Sequence, residues 1–263
     1  QGVSGVHVGQ LVADLTVIGA YSEYICLPEN RLTLVPDGLD PTEAVGLVLS
    51  YVTAYQMLHR ISKTKPGHCI LVHGAGGAVG TAMLQLGKLL NLEMFGTASK
   101  SKHDLISQLG ATPIDYKSED WVKRIFAQKR NGIDAVFDPM GGTNFEKSFS
   151  VLKKGGTLVG YGFYNAVMGK GGSIAIDFMR LQLWNLLPNG KSTNFYSIAS
   201  LRKNHPDWFS EDLSKLFKLQ LQGQIKPIIA KHMPLSQAKM AHELIEKAEV
   251  RGKLVLTVGE QSA

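Results

Sequence analysis

The run Gly74-Ala75-Gly76-Gly77-Ala78-Val79-Gly80 holds the residues best suited to meet a charged ligand. It follows Cys69-Ile70-Leu71-Val72, the continuous apolar pattern of a strand buried on both faces, and leads into helical spacing from Val79 to Leu90. Glycine is needed where a backbone turns tightly, where it must approach a pyrophosphate, and where a helix packs closely on a strand. The first amides of the helix, at the positive end of its dipole, then face the anion. A glycine trio alone also suits an ordinary turn, but here the strand before it and the helix after it are both legible. Ala75, Gly76, Gly77, Ala78 and Val79 are the candidate phosphate cradle.

In a dinucleotide site an acidic residue ~20 positions further on normally grips the ribose 2′-hydroxyl. The strand Glu93-Met94-Phe95-Gly96-Thr97-Ala98 ends instead in Ser99-Lys100-Ser101-Lys102. Hydroxyl and ammonium donors without a carboxylate would attract a 2′-phosphate, which points to NADPH. Other chemistry is poorly supported. GxSxG does not occur, and the eight histidines form no HExxH pattern. His73, just before the glycine turn, suits packing better than ligation. Asp138, beside Pro139 and Gly141-Gly142, suits fixing a turn better than catalysis, so no catalytic side chain is assigned.

Elements that could position these residues alternate along the chain. After β-rich segments at Gln10–Val17 and Ala20–Leu27, Thr42 to Leu58 has helical spacing. Beyond Cys69–Val72, strands are expected at Glu93–Ala98, Ile114, Ile133–Phe137, Gly156–Gly160 and Asn194–Ile198. Helices are expected between them at Lys102–Leu109, Trp121–Gln128 and Phe145–Leu152. This alternation predicts an α/β fold with a doubly wound parallel sheet of the Rossmann type. The tail reads as helix Trp208–Leu221, strand Pro227–Ile229, helix Ser236–Glu246 and strand Lys253–Val258.

Composition narrows the class. Hydrophobic residues make up 44% and charged residues 19%, ordinary for a soluble globular protein. The net charge of +6 is spread without a basic run, so a nucleic-acid partner is not expected. Two cysteines, Cys26 and Cys69, lie far apart and outside any CxxC pair, which suits a reducing, cytoplasmic setting. No apolar stretch approaches the ~20 residues of a membrane span, and Gln1–Gln10 lacks the pattern of a signal peptide.

His73 to Gly80 resembles the cofactor turn of quinone oxidoreductases and ζ-crystallin, the zinc-independent branch of the medium-chain dehydrogenase/reductase superfamily. Gly19 to Tyr24, Leu49 to Tyr55, Leu109-Gly110-Ala111 with Asp115-Tyr116, Gly132 to Asp138 with Gly141-Gly142, Gly155 to Gly162 and Gly252 to Val255 are similar to the same family at matching intervals. The resemblance implies part of a GroES-like β-rich catalytic domain over residues 1–45, a Rossmann NADPH-binding domain over 46–198, and a return to the catalytic domain over 199–263. It implies that Gly77, Ala78 and Val79 offer amides to the pyrophosphate, with Lys253 adding a cation. Ser99, Lys102 and Tyr116 would surround the 2′-phosphate, and Thr53, Gly162, Phe163, Phe195 and Tyr196 would line the nicotinamide. Without the resemblance, Tyr116 reads equally as a half-buried loop residue, and Phe163 and Phe195 as core aromatics. The resemblance further implies hydride transfer from NADPH to a quinone or an α,β-unsaturated carbonyl, and a homodimer. Leu49 stands where zinc-dependent relatives carry a cysteine, so no metal is expected. Gln1 to Gly9 resembles a segment that family members reach only later, so residues holding several strands and much of the substrate pocket are expected before Gln1.

Overall fold

The computed structural model describes residues 2–16, 18–247 and 250–259. Its strands are β1 (Val12–Ala13), β2 (Thr33–Leu34), β3 (Cys69–His73), β4 (Glu93–Ala98), β5 (Thr112–Asp115), β6 (Ile133–Asp138), β7 (Leu152–Gly160), β8 (Ser192–Phe195), β9 (Ile229–Pro234) and β10 (Lys253–Thr257). The chain falls into two compact units. One comprises Ala54–Gly76 and Gly80–Ile198, and the other comprises Gln1–Thr53, Gly77–Val79 and Ala199–Ala263.

The first of these units holds a six-stranded sheet in the order β5-β4-β3-β6-β7-β8, every neighbouring pair parallel. All five residues of β3 are buried, as its unbroken apolar run requires of a central strand covered on both faces. Leu71, Phe95, Val136 and Leu158 from four adjacent strands pack with Ile125, Phe145 and Leu181 in one core. The strand order runs outward in both directions from β3 and β6. That reversal is the switch point at which open α/β sheets bind ligands, beyond the carboxyl ends of the strands.

Local chemistry sets the helix boundaries. The Asp120 carboxylate accepts from the amides of Val122 and Lys123, at 3.1 and 3.2 Å, to start the helix Trp121–Gln128. In the other unit, Asp40 does the same for the helix Pro41–Gly46, with Pro41 at its first position. That unit pairs β1 with β2 antiparallel and β9 with β10 parallel.

Several expectations are corrected. Residues 20–27 form no strand; the Ser22 hydroxyl instead donates to the Gly19 carbonyl at 2.6 Å, closing a local turn. Of Gln10–Val17 only Val12–Ala13 pairs, and Val17 lies outside the described residues. The last strand of the large sheet is Ser192–Phe195, because Ile198 begins the helix Ile198–Asn204. The tail strand lies at Ile229–Pro234, set by register with β10 rather than by the apolar run before it. The helix Ile174–Trp184 is absent from the sequence reading, because most of its apolar side chains face outward and blur the expected one-sided period.

Candidate functional site

β3 feeds the glycine turn as its sequence implies. Gly74 adopts φ +66°, a conformation that side chains disfavour. A methyl group on Gly80 would lie 2.5 Å from the Gly74 carbonyl oxygen and 2.6 Å from Ala75 Cα, so the helix Ala78–Leu89 requires glycine to approach the turn. Ala75 is buried, and its amide donates to the Thr97 carbonyl at 3.1 Å. Its amide is thus committed inside the sheet. Gly76 lies under the Lys102 side chain: a methyl group there would sit 2.6 Å from Lys102 Cδ.

At the tip of β4, Ser99 and Ser101 place their hydroxyls 3.2 Å apart, with Lys100 exposed and Lys102 half-buried. Register brings a second chain segment here. Ala98 pairs with Asp115, so Ser99 and Tyr116 leave adjacent strand ends together. The Asp115 carboxylate turns into its own loop, accepting from the Lys117 amide at 3.0 Å and the Ser118 hydroxyl at 2.9 Å. Those donors hold it below the usual carboxylate range, the Lys117 amide most strongly. The Tyr116 ring is left 53% exposed. Ser99, Lys102 and Tyr116, expected together, therefore form a hydroxyl- and ammonium-bearing rim.

Beyond β6, the Asp138 carboxylate accepts from the Met140 amide at 2.7 Å and from the Asn144 and Ser148 side chains at 2.8 and 2.7 Å. It fixes the turn, as its neighbours suggested. Ser148 Oγ also lies 3.1 Å from His73 Nε2, and His73 Nδ1 lies 2.9 Å from Thr97 Oγ1. With the Ser148 proton given to Asp138, the arrangement assigns His73 a proton on Nε2 and leaves Nδ1 to accept from Thr97. Burial pushes the His73 pKa down, opposed by the Asp138 charge, so the ring is a neutral strut braced edge-on against Trp121 at 4.7 Å.

Gly162 follows β7, and a methyl group there would meet the Pro139 carbonyl oxygen at 2.8 Å, locking the loops after β6 and β7 together. Phe163 and Phe195 stack on one another at 4.7 Å and 15°. Tyr196 is buried, its hydroxyl donating to Gln56 Oε1 at 2.8 Å, so its phenol is spent on packing. The turn expected at Gly141-Gly142 is present, with φ +72° and +62°, but the buried Asp177 that accepts from the Gly142 amide at 2.7 Å had no place in the sequence expectations. The glycine pair after Asp138-Pro139 was the available signal; nothing near Asp177 in sequence connects it to that turn.

In the other unit, Gly77 bridges Gly252 in parallel, which brings the first residues of the helix, Ala78 and Val79, beside the start of β10. Lys253 is the next residue. Burial lowers its pKa to about 8, and no carboxylate among the described residues lies within ion-pair distance of it. A desolvated ammonium beside a helix start is suited to an anion. Thr53 is buried in the same unit.

A tetrahedral zinc site needs three or four converging Cys, His or carboxylate ligands. Among the described residues no three such side chains cluster. Cys69 is buried with its thiol pushed up to about 12, chiefly by desolvation, which disfavours the thiolate a metal requires. The described side chains do not fit a zinc ion.

The sequence profile of the zinc-binding dehydrogenase family matches residues 109–256. The chain is 32% identical to the rat synaptic vesicle membrane protein VAT-1 homolog, over 99% of this chain and 66% of that protein. It is 32% identical to the human VAT-1 homolog, of which it covers 68%. It thus spans about two thirds of the length of these curated relatives. The crystal structure of Escherichia coli quinone oxidoreductase complexed with NADPH superposes with a TM-score of 0.86 at 25% identity, over 97% of this chain and 77% of that one. The chain belongs to the zinc-binding dehydrogenase family, on the quinone-oxidoreductase-like branch of the medium-chain dehydrogenases and reductases.

Proposed function

We propose that this chain is the cofactor-binding portion of an NADPH-dependent oxidoreductase that transfers hydride to a quinone or an α,β-unsaturated carbonyl without a metal. The observation that carries the reading is the rim of Ser99, Lys102 and Tyr116 at the ends of β4 and β5, where the nearest strand-end carboxylate, Asp115, is turned away. Solved relatives complexed with NADPH support it, among them the Escherichia coli quinone oxidoreductase. When bound, NADPH would supply the hydride, and the protein's task is to hold and orient it. Gly77 to Val79 and Lys253 suit the pyrophosphate, and the loops after β6 and β7 suit the nicotinamide half. Solvent or a hydroxyl would deliver the proton that completes reduction.

We also read residues 1–45 and 199–263 as parts of a GroES-like catalytic domain, and the protein as cytoplasmic; two free thiols, Cys26 and Cys69, support the latter. A homodimer is supported by β8, the terminal strand of the large sheet, and by Ile176, Met179, Leu183 and Leu186 exposed beside it. A second reading, cofactor binding without turnover, is favoured by relatives whose names carry a vesicle membrane and no reaction.

The test is a pair of dissociation constants. NADPH should bind at least tenfold tighter than NADH, and Ser99→Asp should reverse that preference by placing a carboxylate where the extra phosphate would sit. Equal affinity in the wild type sinks the cofactor assignment. NADPH consumption with a panel of quinones and enals by the full-length protein then separates the two readings.

A further inference from the structure

The turn Pro139–Gly142 leaves β6 at the switch point, and nearly all its backbone groups are engaged. The Pro139 carbonyl accepts from the Tyr164 amide at 3.0 Å, and the Met140 carbonyl from the Asn165 amide at 2.8 Å. The Gly141 carbonyl accepts from Asn165 Nδ2 at 3.1 Å, and the Gly142 carbonyl from the Phe145 amide at 3.1 Å. The Met140 amide is held by Asp138 and the Gly142 amide by Asp177. Among the described residues the amide of Gly141, a buried residue, is the one in this turn with no acceptor. A buried donor left orphaned is rare and costly, and calls for a partner the chain does not supply.

Asp177 holds the turn through the neighbouring Gly142 amide. Its side chain is 1% exposed, and it reaches the turn from the helix Ile174–Trp184, remote in sequence. Arg180 sets a cation beside the buried carboxylate, with Nη1 3.6 Å from Asp177 Oδ1 and 3.0 Å from Glu146 Oε1. The fit is tight. A methyl group on Gly141 would lie 3.1 Å from Asp177 Oδ2 and 3.4 Å from Phe163 Cα. The carboxylate thus seats the turn against the Phe163 loop expected beside the nicotinamide.

We propose that Asp177 is a positioning residue, clamping the Gly141-Gly142 turn so that the Gly141 amide is presented to the nicotinamide half of the bound cofactor. The proposal rests on the NADPH reading above. Its test uses two probes on the full-length protein: NADPH, and 2′,5′-ADP, which carries only the adenosine half. Asp177→Ala should weaken NADPH about tenfold and leave 2′,5′-ADP unchanged, because the rim at β4 does not depend on the clamp. Asp177→Asn keeps an acceptor oxygen and should restore most of the loss. Should Asp177→Ala fail to fold, Asp177→Glu makes the same comparison, since one extra methylene displaces the turn while keeping the charge. Equal weakening of both probes reduces Asp177 to a structural residue and overturns the proposal, as does unchanged NADPH affinity. Wild-type protein that binds neither probe overturns the cofactor reading and this inference with it; one that binds 2′,5′-ADP no less tightly than NADPH overturns this inference alone.

Discussion

Under the proposed function, two demands on Lys253 conflict. Its pKa is lowered to about 8 by burial, so in the folded protein it releases its proton more readily than in the unfolded chain. The sign follows from linkage: burial of the ammonium costs stability below pH 8, and that cost is relieved as pH rises from 8 toward 10.5. Lys253→Met should therefore stabilise the ligand-free protein at pH 7, on the order of 1–3 kcal/mol, and flatten its stability between pH 8 and 10. Calorimetric Tm against pH measures both. The same variant should weaken NADPH at pH 7 about tenfold, and wild-type affinity should fall above pH 8 as the cation is lost. His73 follows the same sign in a lower pH window. Its pKa is depressed by burial, so its contribution is intact above the unfolded value near 6.5 and is lost as pH falls below it. Asp138→Ala, which strands Ser148, Asn144 and the Met140 amide, should cost about 3 kcal/mol, read as a fall in Tm. A specific loss of turnover at unchanged Tm would give Asp138 a catalytic role instead.

At the scale of elements, the junction of β3 with the helix Ala78–Leu89 is held by what glycine lacks. Gly80→Ala brings a methyl group against the backbone of Gly74 and Ala75, where no flexible side chain can move aside. We expect a loss of about 1–3 kcal/mol, or roughly 2–4 °C in Tm per kcal/mol, by thermal melt. Gly76→Ala meets only the aliphatic stem of Lys102, so its effect should fall on NADPH affinity rather than on Tm. If the two variants melt alike, the close-packing account of Gly80 is wrong.

For the whole molecule, the open edge of β8 and the apolar surface of the helix Ile174–Trp184 bear on assembly. Charged side chains are sparse from Tyr164 to Ser192, and the one carboxylate there, Asp177, is buried. Leu183→Glu with Leu186→Glu should convert a dimer into monomers on sedimentation, with NADPH binding retained. A wild-type protein that sediments as a monomer at micromolar concentration removes the dimer from the proposal.

What the amino-acid sequence determined alone is whatever depends on neighbours along the chain. The buried run Cys69–Val72, the glycine turn and the missing acid after Ala98 each express a local requirement of backbone geometry or charge, and each is legible within a dozen residues. Tertiary structure decided the rest, because those features depend on register and on groups distant in sequence. Pairing of Ala98 with Asp115 brings Tyr116 to Ser99, and a hydrogen bond commits the Ala75 amide to Thr97. The tyrosine of Phe195-Tyr196 turns inward to Gln56 while the phenylalanine stacks on Phe163. Asp177 reaches the Gly142 amide across 35 positions of chain, a relation that no local pattern encodes.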